Sequence, residues 1–264
     1  MKIGFIGGGN MGGAIIGGIV KSKVEVPNHI GVYDVNTDAV NKLKEQYGIQ
    51  QIILNQAAVN SADVLFLCVK PNVLYDVIDQ IKGDISENTL IISIAAGQTI
   101  SAIENAFGKK IKLIRAMPNT PALVGEGMSA LSPNENVTES ELATAIELFS
   151  GFGKAEVVPE KLMDVVTAVS GSSPAYVFML IEAMADAAVM GGMPRQQAYT
   201  FASQAVLGSA KMVLETGKHP AELKDMVCSP AGTTIEAVAV LEDMGLRAAV
   251  IEAMRACTEK SQSM

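Results

Sequence analysis

The sequence predicts an α/β fold, with a doubly wound parallel sheet in the first half of the chain and only helices in the second. Up to residue 159, continuous apolar runs alternate with segments of helical periodicity, and such runs are typical of parallel strands buried on both faces. Residues 160–264 contain no apolar run typical of a strand. Because repeated strand–helix–strand order implies right-handed crossovers in one sheet, we predict two domains, 1–159 and 160–264.

Each element of the first domain follows from a local pattern. Helical periodicity predicts helices over 12–20, 37–47 and 72–81. Apolar runs bounded by Gly, Pro or polar residues predict strands, in chain order, at 3–6, 30–33, 64–69, 90–95 and 111–114.

The second domain is rich in Ala, Met, Leu and Glu. Breaks carrying Gly, Pro or both predict helix boundaries at 171–174, 191–194, 217–220 and 229–232. Helices rich in Met and Ala pack closely and adapt to irregular surfaces, which favours a dimer interface. The alternative is that these helices pack only against each other.

Composition excludes several classes of protein. The chain is 49% hydrophobic and 18% charged, which excludes general disorder, and its net charge of −8 disfavours binding to nucleic acid or to an anionic membrane. Three scattered cysteines without a CxxC motif predict neither a disulfide framework nor a metal site, and indicate reduced thiols in the cytoplasm. The absence of a long uninterrupted apolar run predicts no transmembrane helix.

A glycine motif, GGGNMG at 7–12, lies between the first predicted strand and the first predicted helix. Gly7 permits a tight turn, Gly9 lets the backbone approach a pyrophosphate, and Gly12 lets the helix lie against the strand. The helix N-terminus then attracts phosphate. The motif in this context predicts a Rossmann-like domain that binds NAD or NADP; the alternative is a glycine-rich turn without a ligand.

Asp34 follows the second predicted strand. An acidic residue there accepts hydrogen bonds from the adenosine ribose hydroxyls and favours NAD. Alternatively, Asp34 only caps the turn beside Asn36. Two further strand ends, 68–71 and 93–97, are expected to line the same crevice, because ligands bind at the carboxyl edge of such sheets.

The segment 228–234 is unusual for a connection between helices. The amides of Gly232, Thr233 and Thr234 are suited to bind a carboxylate at a helix N-terminus. Spacing alone favours a simpler interpretation, in which Ser229 or Thr233 caps the helix. Neither His29 nor His219 belongs to a pattern typical of nucleophilic hydrolysis or of a metal centre.

Six motifs occur in an order that identifies a family. They are FIGGGNMG (5–12), VKP (69–71), RAMPNTP (115–121), SGSSPAY (170–176), LKD (223–225) and CSPAGTT (228–234). Together they resemble pyrroline-5-carboxylate reductase, the last enzyme of proline biosynthesis. The resemblance runs from the first strand to the last helices.

The resemblance implies an NAD(P)-dependent reduction of 1-pyrroline-5-carboxylate to L-proline. It implies NADP(H) as cofactor, with NAD(H) as a second option, and self-association of the helical domain as a dimer or a higher ring. It assigns catalysis to Thr234 and Ser229, and substrate binding to Gly232, Thr233, Thr234 and Glu160. The cofactor contacts that it implies are Ile6, Gly7, Gly8, Gly9, Asn10, Met11, Asn55, Val69, Lys70, Pro71, Ala95 and Ala96, to which the strand-end position adds Asp34.

The chain departs from the family pattern at three places. Ala231 and Ser173 stand where the family often has Gly, and if position 231 requires a positive φ, the geometry of its loop is affected. Asp34 favours NADH, whereas the family generally favours NADPH. Asn36 offers an amide to the 2′-phosphate of NADPH, so both cofactors can be used.

Several other functions share part of this pattern. A 3-hydroxyacid dehydrogenase requires a lysine near the domain junction, and there is none between Lys161 and Lys211. A reductase of a related cyclic imine, a non-catalytic NAD(P)-binding dimer and a Rossmann-like fold without ligand remain open. Because a protonated imine enters already charged, we expect Thr234 to orient the ring nitrogen and no side chain to be an essential acid.

Overall fold

The fold is described by a computed structural model of the chain, which covers residues 1–60 and 62–263. The described residues form two compact units. The first comprises Met1–Ser172 together with the C-terminal residues from Cys257 onward, and the second is Ser173–Ala256.

The first unit is built on one eight-stranded sheet. Its strands are β1 (Ile3–Ile6), β2 (Ile30–Tyr33), β3 (Gln50–Gln51), β4 (Val64–Leu67), β5 (Leu90–Ser93), β6 (Lys112–Met117), β7 (Gly127–Pro133) and β8 (Gly153–Val157). Their order is β3-β2-β1-β4-β5-β6-β7-β8, and neighbours from β3 to β6 are parallel. This is the order of a doubly wound dinucleotide-binding sheet, so the predicted fold class is confirmed.

Helices cover both faces of this sheet. They are α1 (Asn10–Lys21), α2 (Thr37–Tyr47), α3 (Asn55–Val59), α4 (Pro71–Ile81), α5 (Ile100–Phe107), α6 (Glu139–Ser150) and the short α7 (Met163–Val166). One apolar core packs α1 and α6 against the sheet, and a second packs α4 and α5 against the other face. Because both faces are covered, the central strands consist of buried residues throughout.

A stack of aromatic rings fills the first of these cores. The rings of Phe5 and Phe66 lie 4.6 Å apart and nearly parallel, and Phe149 and Phe152 continue the cluster. All four side chains are fully buried, and burying a side chain of this size contributes about 1.5–3 kcal/mol. This packing holds β1, and with it the glycine motif that follows, in a fixed position.

The far edge of the sheet differs from the prediction. β7 is antiparallel to β6, because a parallel pair needs a crossover of a dozen or more residues and the nine residues 118–126 are too few. β8 then pairs parallel to β7 at the edge. The predicted strand 111–114 is too short, since β6 continues through Arg115, a charged residue that is nonetheless buried.

The second unit is helical, as predicted. Its helices are α8 (Ser173–Met190), α9 (Arg195–Thr216), α10 (Pro220–Val227), α11 (Thr233–Asp243) and α12 (Leu246–Gln262), of which the last extends into the first unit. All four predicted breaks coincide with helix boundaries; at the first, a π-helical segment, Thr167–Gly171, leads through Ser172 into α8. The turn at Gly245 between α11 and α12 was not predicted.

The chain returns to the first unit at its C-terminal end. The Cys257 thiol donates a hydrogen bond to the Ser172 hydroxyl at 3.3 Å, and the Ser261 hydroxyl donates one to Asp164 at 2.7 Å. Residues 160–172 therefore pack within the first unit, although β8 ends at Val157. The functional boundary at 159/160 stays a prediction.

One helical stretch, Glu160–Met190, is long and apolar enough to cross a membrane, judged by length and composition alone. A single stretch of this kind is weak evidence for a membrane span.

Candidate active site

The glycine loop between β1 and α1 forms the floor of the site. Gly7 has φ +106°, and a Cβ there would lie 2.3 Å from the Cys68 carbonyl oxygen on the neighbouring strand end. A Cβ on Gly12 would meet the Gly7 carbonyl oxygen at 2.3 Å, whereas one on Gly9 would meet nothing within 4 Å. Gly7 and Gly12 are thus required by the fold, and the backbone at Gly9 faces open space.

The N-terminus of α1 has no side-chain cap. Gly9 is its N-cap residue and has no side chain that could accept a hydrogen bond. The first amides of a helix have no intrahelical acceptor, and together with the helix dipole they attract an anion. The loop therefore has the properties of a phosphate-binding turn.

A first cavity of about 310 Å³, here called the Asp34 cavity, lies beside this loop at the carboxyl edge of β1, β2 and β4. It is lined by Ile6, Gly7, Tyr33, Asp34, Val35, Asn55, Val69, Val73, Asp76, Val77 and Gln80. The apolar side chains suit a flat ring and the polar ones suit hydroxyl groups.

The Asp34 carboxylate is held from two sides. One oxygen accepts a hydrogen bond from the Gly8 amide at 2.7 Å, and the other accepts one from the Asn36 amide at 2.8 Å. Asn36 is in turn the N-cap of α2, with its side chain accepting from the Ala39 amide at 3.2 Å. Asp34 thus braces both the glycine loop and the turn, while it also lines the cavity.

Asn55 lines the same cavity and carries an unpaired buried acceptor. Its side-chain amide donates to Gln80 Oε1 at 2.6 Å, and its Oδ1 is buried without a hydrogen-bond partner among the described residues. Buried polar atoms are nearly always hydrogen-bonded, so an unpaired oxygen beside a cavity indicates a ligand that donates there. The residues present therefore fit a bound nucleoside.

A second cavity of about 340 Å³, here called the Lys70 cavity, lies at the ends of β4, β5 and β6. It is lined by Met11, Cys68, Val69, Lys70, Pro71, Ile94, Ala96, Met117, Pro118, Asn119, Thr120 and Gly171. Burial raises the pKa of the Cys68 thiol, so this thiol stays protonated and is no nucleophile.

Together the two cavities contain most of the first-unit residues predicted to bind a cofactor. Ile6, Gly7, Asp34 and Asn55 line the first, Met11, Lys70, Pro71 and Ala96 line the second, and Val69 lines both. Four predicted residues, namely Gly8, Gly9, Asn10 and Ala95, line neither. Gly8 and Gly9 belong to the loop itself and Asn10 is the first residue of α1, whereas Ala95, two residues after β5, is buried in the second core.

The segment after β6 supplies lining residues that sequence reasoning did not assign. Asn119 is buried, donates to the Ser170 carbonyl oxygen at 2.9 Å and accepts from the Met128 amide at 2.8 Å. These bonds hold the 3₁₀ segment Thr120–Val124 beside the Lys70 cavity. The sequence signal that could have indicated them is the pair Pro118 and Pro121 with Asn119 between them, directly after a strand.

Glu160 has a structural partner in the first unit. Its Oε1 accepts from the Arg115 guanidinium at 3.1 Å and from the Ile100 amide, the first of α5, at 2.7 Å. The Arg115 side chain is 8% exposed and that of Glu160 is 33% exposed. The carboxylate thus joins β6, α5 and the segment that follows β8.

The second unit contains the loop predicted to bind a carboxylate. Gly232 is the N-cap of α11, and no side chain caps this helix, so the simpler interpretation, capping by Ser229 or Thr233, is wrong. The loop instead closes through a hydrogen bond from the Gly232 amide to the Ser229 carbonyl oxygen at 3.0 Å. Thr233 and Thr234 open the helix, so their amides have no intrahelical acceptor.

Position 231 does require a positive φ. Ala231 has φ +54°, one of two such values among the described non-glycine residues. At the next position a Cβ on Gly232 would meet Ser229 Oγ, so a side chain there would require the Ser229 hydroxyl to rotate away.

Comparison with known proteins then decides the family. Residues 160–264 match the model for pyrroline-5-carboxylate reductase dimerisation, and residues 2–97 match the one described as NADP oxidoreductase, coenzyme F420-dependent. Pyrroline-5-carboxylate reductase of Escherichia coli (strain K12) is 56% identical over 100% of this chain and 98% of its own length. The chain belongs to the pyrroline-5-carboxylate reductase family.

Other relatives agree with this assignment. The pyrroline-5-carboxylate reductase of Methanosarcina acetivorans is 47% identical over 100% of this chain and 97% of its own length. The solved structure from Coxiella burnetii matches with a TM-score of 0.92 and 35% identity, over 99% of this chain and 97% of that one. The Plasmodium falciparum structure, solved with NADP bound, matches with a TM-score of 0.90 and 32% identity, over 100% of this chain and 97% of that one.

Family membership confirms several expectations. The resemblance, the enzyme class of oxidoreductases acting on CH–NH, and the NADP class of cofactor are confirmed.

In residues 1–60 and 62–263, no group of three or more His, Cys, Asp or Glu side chains is arranged to hold a metal ion.

Proposed function

We propose that this chain reduces 1-pyrroline-5-carboxylate to L-proline, the last step of proline biosynthesis, with a nicotinamide dinucleotide of the NADP class as reductant. The observation that carries the proposal is the uncapped start of α11 after the Ser229–Gly232 turn. It leaves the amides of Thr233 and Thr234 free for a carboxylate, in a chain whose full length matches named reductases.

The proposal assigns the cofactor to the two cavities of the first unit. The loop Ile6 to Met11 would hold the pyrophosphate, and Asp34 and Asn55 the adenosine ribose. Val69, Lys70, Pro71, Ala95 and Ala96 would flank the nicotinamide. When bound, the nicotinamide supplies the hydride that reduces the ring imine. Gly9, with open space at its Cα, supports close approach of the backbone to phosphate.

The substrate carboxylate would bind at the amides of Thr233 and Thr234, where the helix dipole adds to the hydrogen bonds. The Gly232 amide, expected as a third donor, is already bonded to the Ser229 carbonyl oxygen, so Gly232 would contribute only the close approach of its backbone. The Thr234 hydroxyl would orient the ring nitrogen, and Ser229 would contribute from the same turn. Hydride transfer depends mainly on contact and alignment. A protonated imine already carries its proton, so no side chain has to act as a strong acid.

We propose that Glu160 lies near the substrate, as the family resemblance implies. Its contacts with Arg115 and Ile100 support a positioning role, because both bonds go to the framework of the first unit.

We propose further that the helical domain, residues 160–264, forms a homodimer or a higher ring, and that residues 1–159 form the cofactor domain. The family model for the helical half is described as a dimerisation domain. Large apolar side chains of the second unit support this, since Met179 is 69% exposed and Leu214 is 66% exposed. Three free cysteines support a cytoplasmic location, and the net charge of −8 supports the absence of nucleic-acid and membrane partners.

The direct test is the loss of absorbance at 340 nm when the protein is mixed with 1-pyrroline-5-carboxylate and NADPH, and in parallel with NADH. Consumption that depends on the imine is the expected result. A folded protein that binds the dinucleotide but consumes none would overturn the substrate assignment and favour a different imine or a non-catalytic role.

A further inference from the structure

The Asp34 cavity carries a fixed negative charge. Both oxygens of the Asp34 carboxylate accept backbone hydrogen bonds, from Gly8 at 2.7 Å and from Asn36 at 2.8 Å. Hydrogen bonds to a charged group are stronger than those between neutral groups, so the carboxylate is held in place. Rotating it away would leave the Gly8 amide and the Asn36 amide without their acceptor.

The other charged groups at this cavity do not compensate. Asp76 is the second acidic side chain that lines it, and none of the described lining residues is Lys or Arg. Lys70 lines the other cavity. A 2′-phosphate, which carries close to two negative charges near neutral pH, would therefore face two carboxylates without a cationic partner.

We propose that Asp34 determines the cofactor selectivity of this chain, by weakening binding of the 2′-phosphate of NADPH and accepting hydrogen bonds from the 2′- and 3′-hydroxyls of NADH. The chain accordingly uses NADH as well as NADPH. The inference rests on the proposed function only in taking the Asp34 cavity as the adenosine site.

The chemistry of the acceptors supports this assignment. Each carboxylate oxygen has two lone pairs, and one backbone amide occupies only one of them. Asn55 lines the same cavity, and its buried Oδ1 has no hydrogen-bond partner among the described residues. A hydroxyl group can donate to these oxygens, whereas a phosphate ester has only acceptor oxygens to offer them.

The test measures binding before activity. Dissociation constants of NADPH and NADH, and of the fragments 2′,5′-ADP and 5′-AMP, are determined by calorimetry for the wild type, Asp34→Asn and Asp38→Asn. Asp34→Asn removes the charge and keeps one oxygen acceptor. Asp38, exposed in the first turn of α2, is a matched control outside the cavity.

Asp34→Asn is expected to raise the affinity for NADPH relative to NADH by at least fivefold, with the same direction for 2′,5′-ADP relative to 5′-AMP. Asp38→Asn is expected to change either ratio by less than twofold. A change of less than fivefold in Asp34→Asn would overturn the inference, because the carboxylate would then serve only to brace the loop.

A second measurement needs no variant and covers the case in which Asp34→Asn does not fold. In the wild type, salt screens repulsion, so raising the ionic strength is expected to favour 2′,5′-ADP relative to 5′-AMP. The opposite trend would indicate attraction and overturn the inference. Binding of the dinucleotides and fragments is measured without 1-pyrroline-5-carboxylate and does not depend on its reduction. If the proposed function is wrong, the protein will show no turnover of 1-pyrroline-5-carboxylate, whatever the binding results are.

Discussion

Ala231 is one of two described non-glycine residues with a positive φ, and it lies directly beside the candidate carboxylate site. Its φ of +54° lies in the left-handed region, which costs an L-residue with a Cβ about 1–2 kcal/mol. The turn that contains it is fixed by the Gly232–Ser229 hydrogen bond at 3.0 Å, so the strain is held within the loop that precedes Thr233.

Replacing Ala231 by Gly is expected to raise the free energy of unfolding by up to about 1 kcal/mol, because relief of strain outweighs the greater entropy of the unfolded glycine. Urea denaturation at a fixed protein concentration measures the change. Ala221→Gly, in the first turns of α10, should have the opposite sign. Equal destabilisation by both substitutions would contradict the strain at position 231.

Thr234→Ala is expected to lower kcat/KM by about tenfold to a hundredfold, because a hydrogen bond to a charged group contributes about 1.5–3 kcal/mol. Affinity for the dinucleotide should stay unchanged. Thr144→Ala makes the same substitution at a partly exposed position of α6 in the first unit, lining neither cavity, and serves as a control. Wild-type rates in Thr234→Ala would remove Thr234 from the mechanism.

At the residue scale, the sequence patterns predicted which residues are structurally required better than they predicted the hydrogen bonds of those residues. The glycine motif predicted the turn at Gly7 and the helix contact at Gly12, since their reasons are local and steric. Spacing could not show that Gly232, rather than Ser229 or Thr233, is the N-cap of α11. Nor could it show that the two backbone amides bonded to Asp34 fix its carboxylate.

At the scale of secondary structure, Glu160 joins three elements of the first unit. Glu160→Ala is expected to lower the free energy of unfolding by about 2 kcal/mol, since it leaves the Arg115 guanidinium buried without its carboxylate. Glu160→Gln, which keeps an acceptor for the Ile100 amide, should recover part of this loss. Chemical denaturation gives both values.

The two Glu160 variants also show whether Glu160 positions the first-unit elements or contacts the substrate directly. A positioning role predicts that stability falls together with activity, and that Glu160→Gln restores part of both. A raised KM for the imine with unchanged stability would contradict the brace and favour direct contact with substrate.

The strands that the sequence predicted are those with a mostly apolar run. β7 begins with Gly and Met and contains two serines, and β8 contains Lys and Glu, so neither shows such a run. The run in β6 is interrupted by Arg115, whose burial depends on Glu160, a residue 45 positions away. Local periodicity cannot detect a charge that is neutralised by a distant partner.

At the scale of the whole molecule, the proposed dimer makes a prediction. Light scattering is expected to give a mass of at least twice 27.7 kDa. Leu214→Glu, at a side chain that is 66% exposed in the second unit, should weaken this association by placing a charge in an apolar interface. Leu123→Glu, at a side chain that is 58% exposed in the first unit, is the matched control.

A monomeric mass at micromolar concentration, or equal effects of the two Glu substitutions, would contradict an interface built from the helical unit. The sequence predicted this unit from its Ala and Met content, but composition could not distinguish helices that pack on each other from helices that bind a second copy. The exposed apolar side chains of α8 and α9 favour the second of these alternatives.

The return of the C-terminal residues to the first unit has a topological consequence. The Ser172 hydroxyl, next to the point where the chain leaves the first unit, and the Cys257 thiol, where it re-enters, lie 3.3 Å apart. The helical unit is therefore an insertion with adjoining ends, rather than a tail appended to the first unit. Insertions of this kind can lengthen, shorten or be exchanged between proteins without displacing the residues that border them.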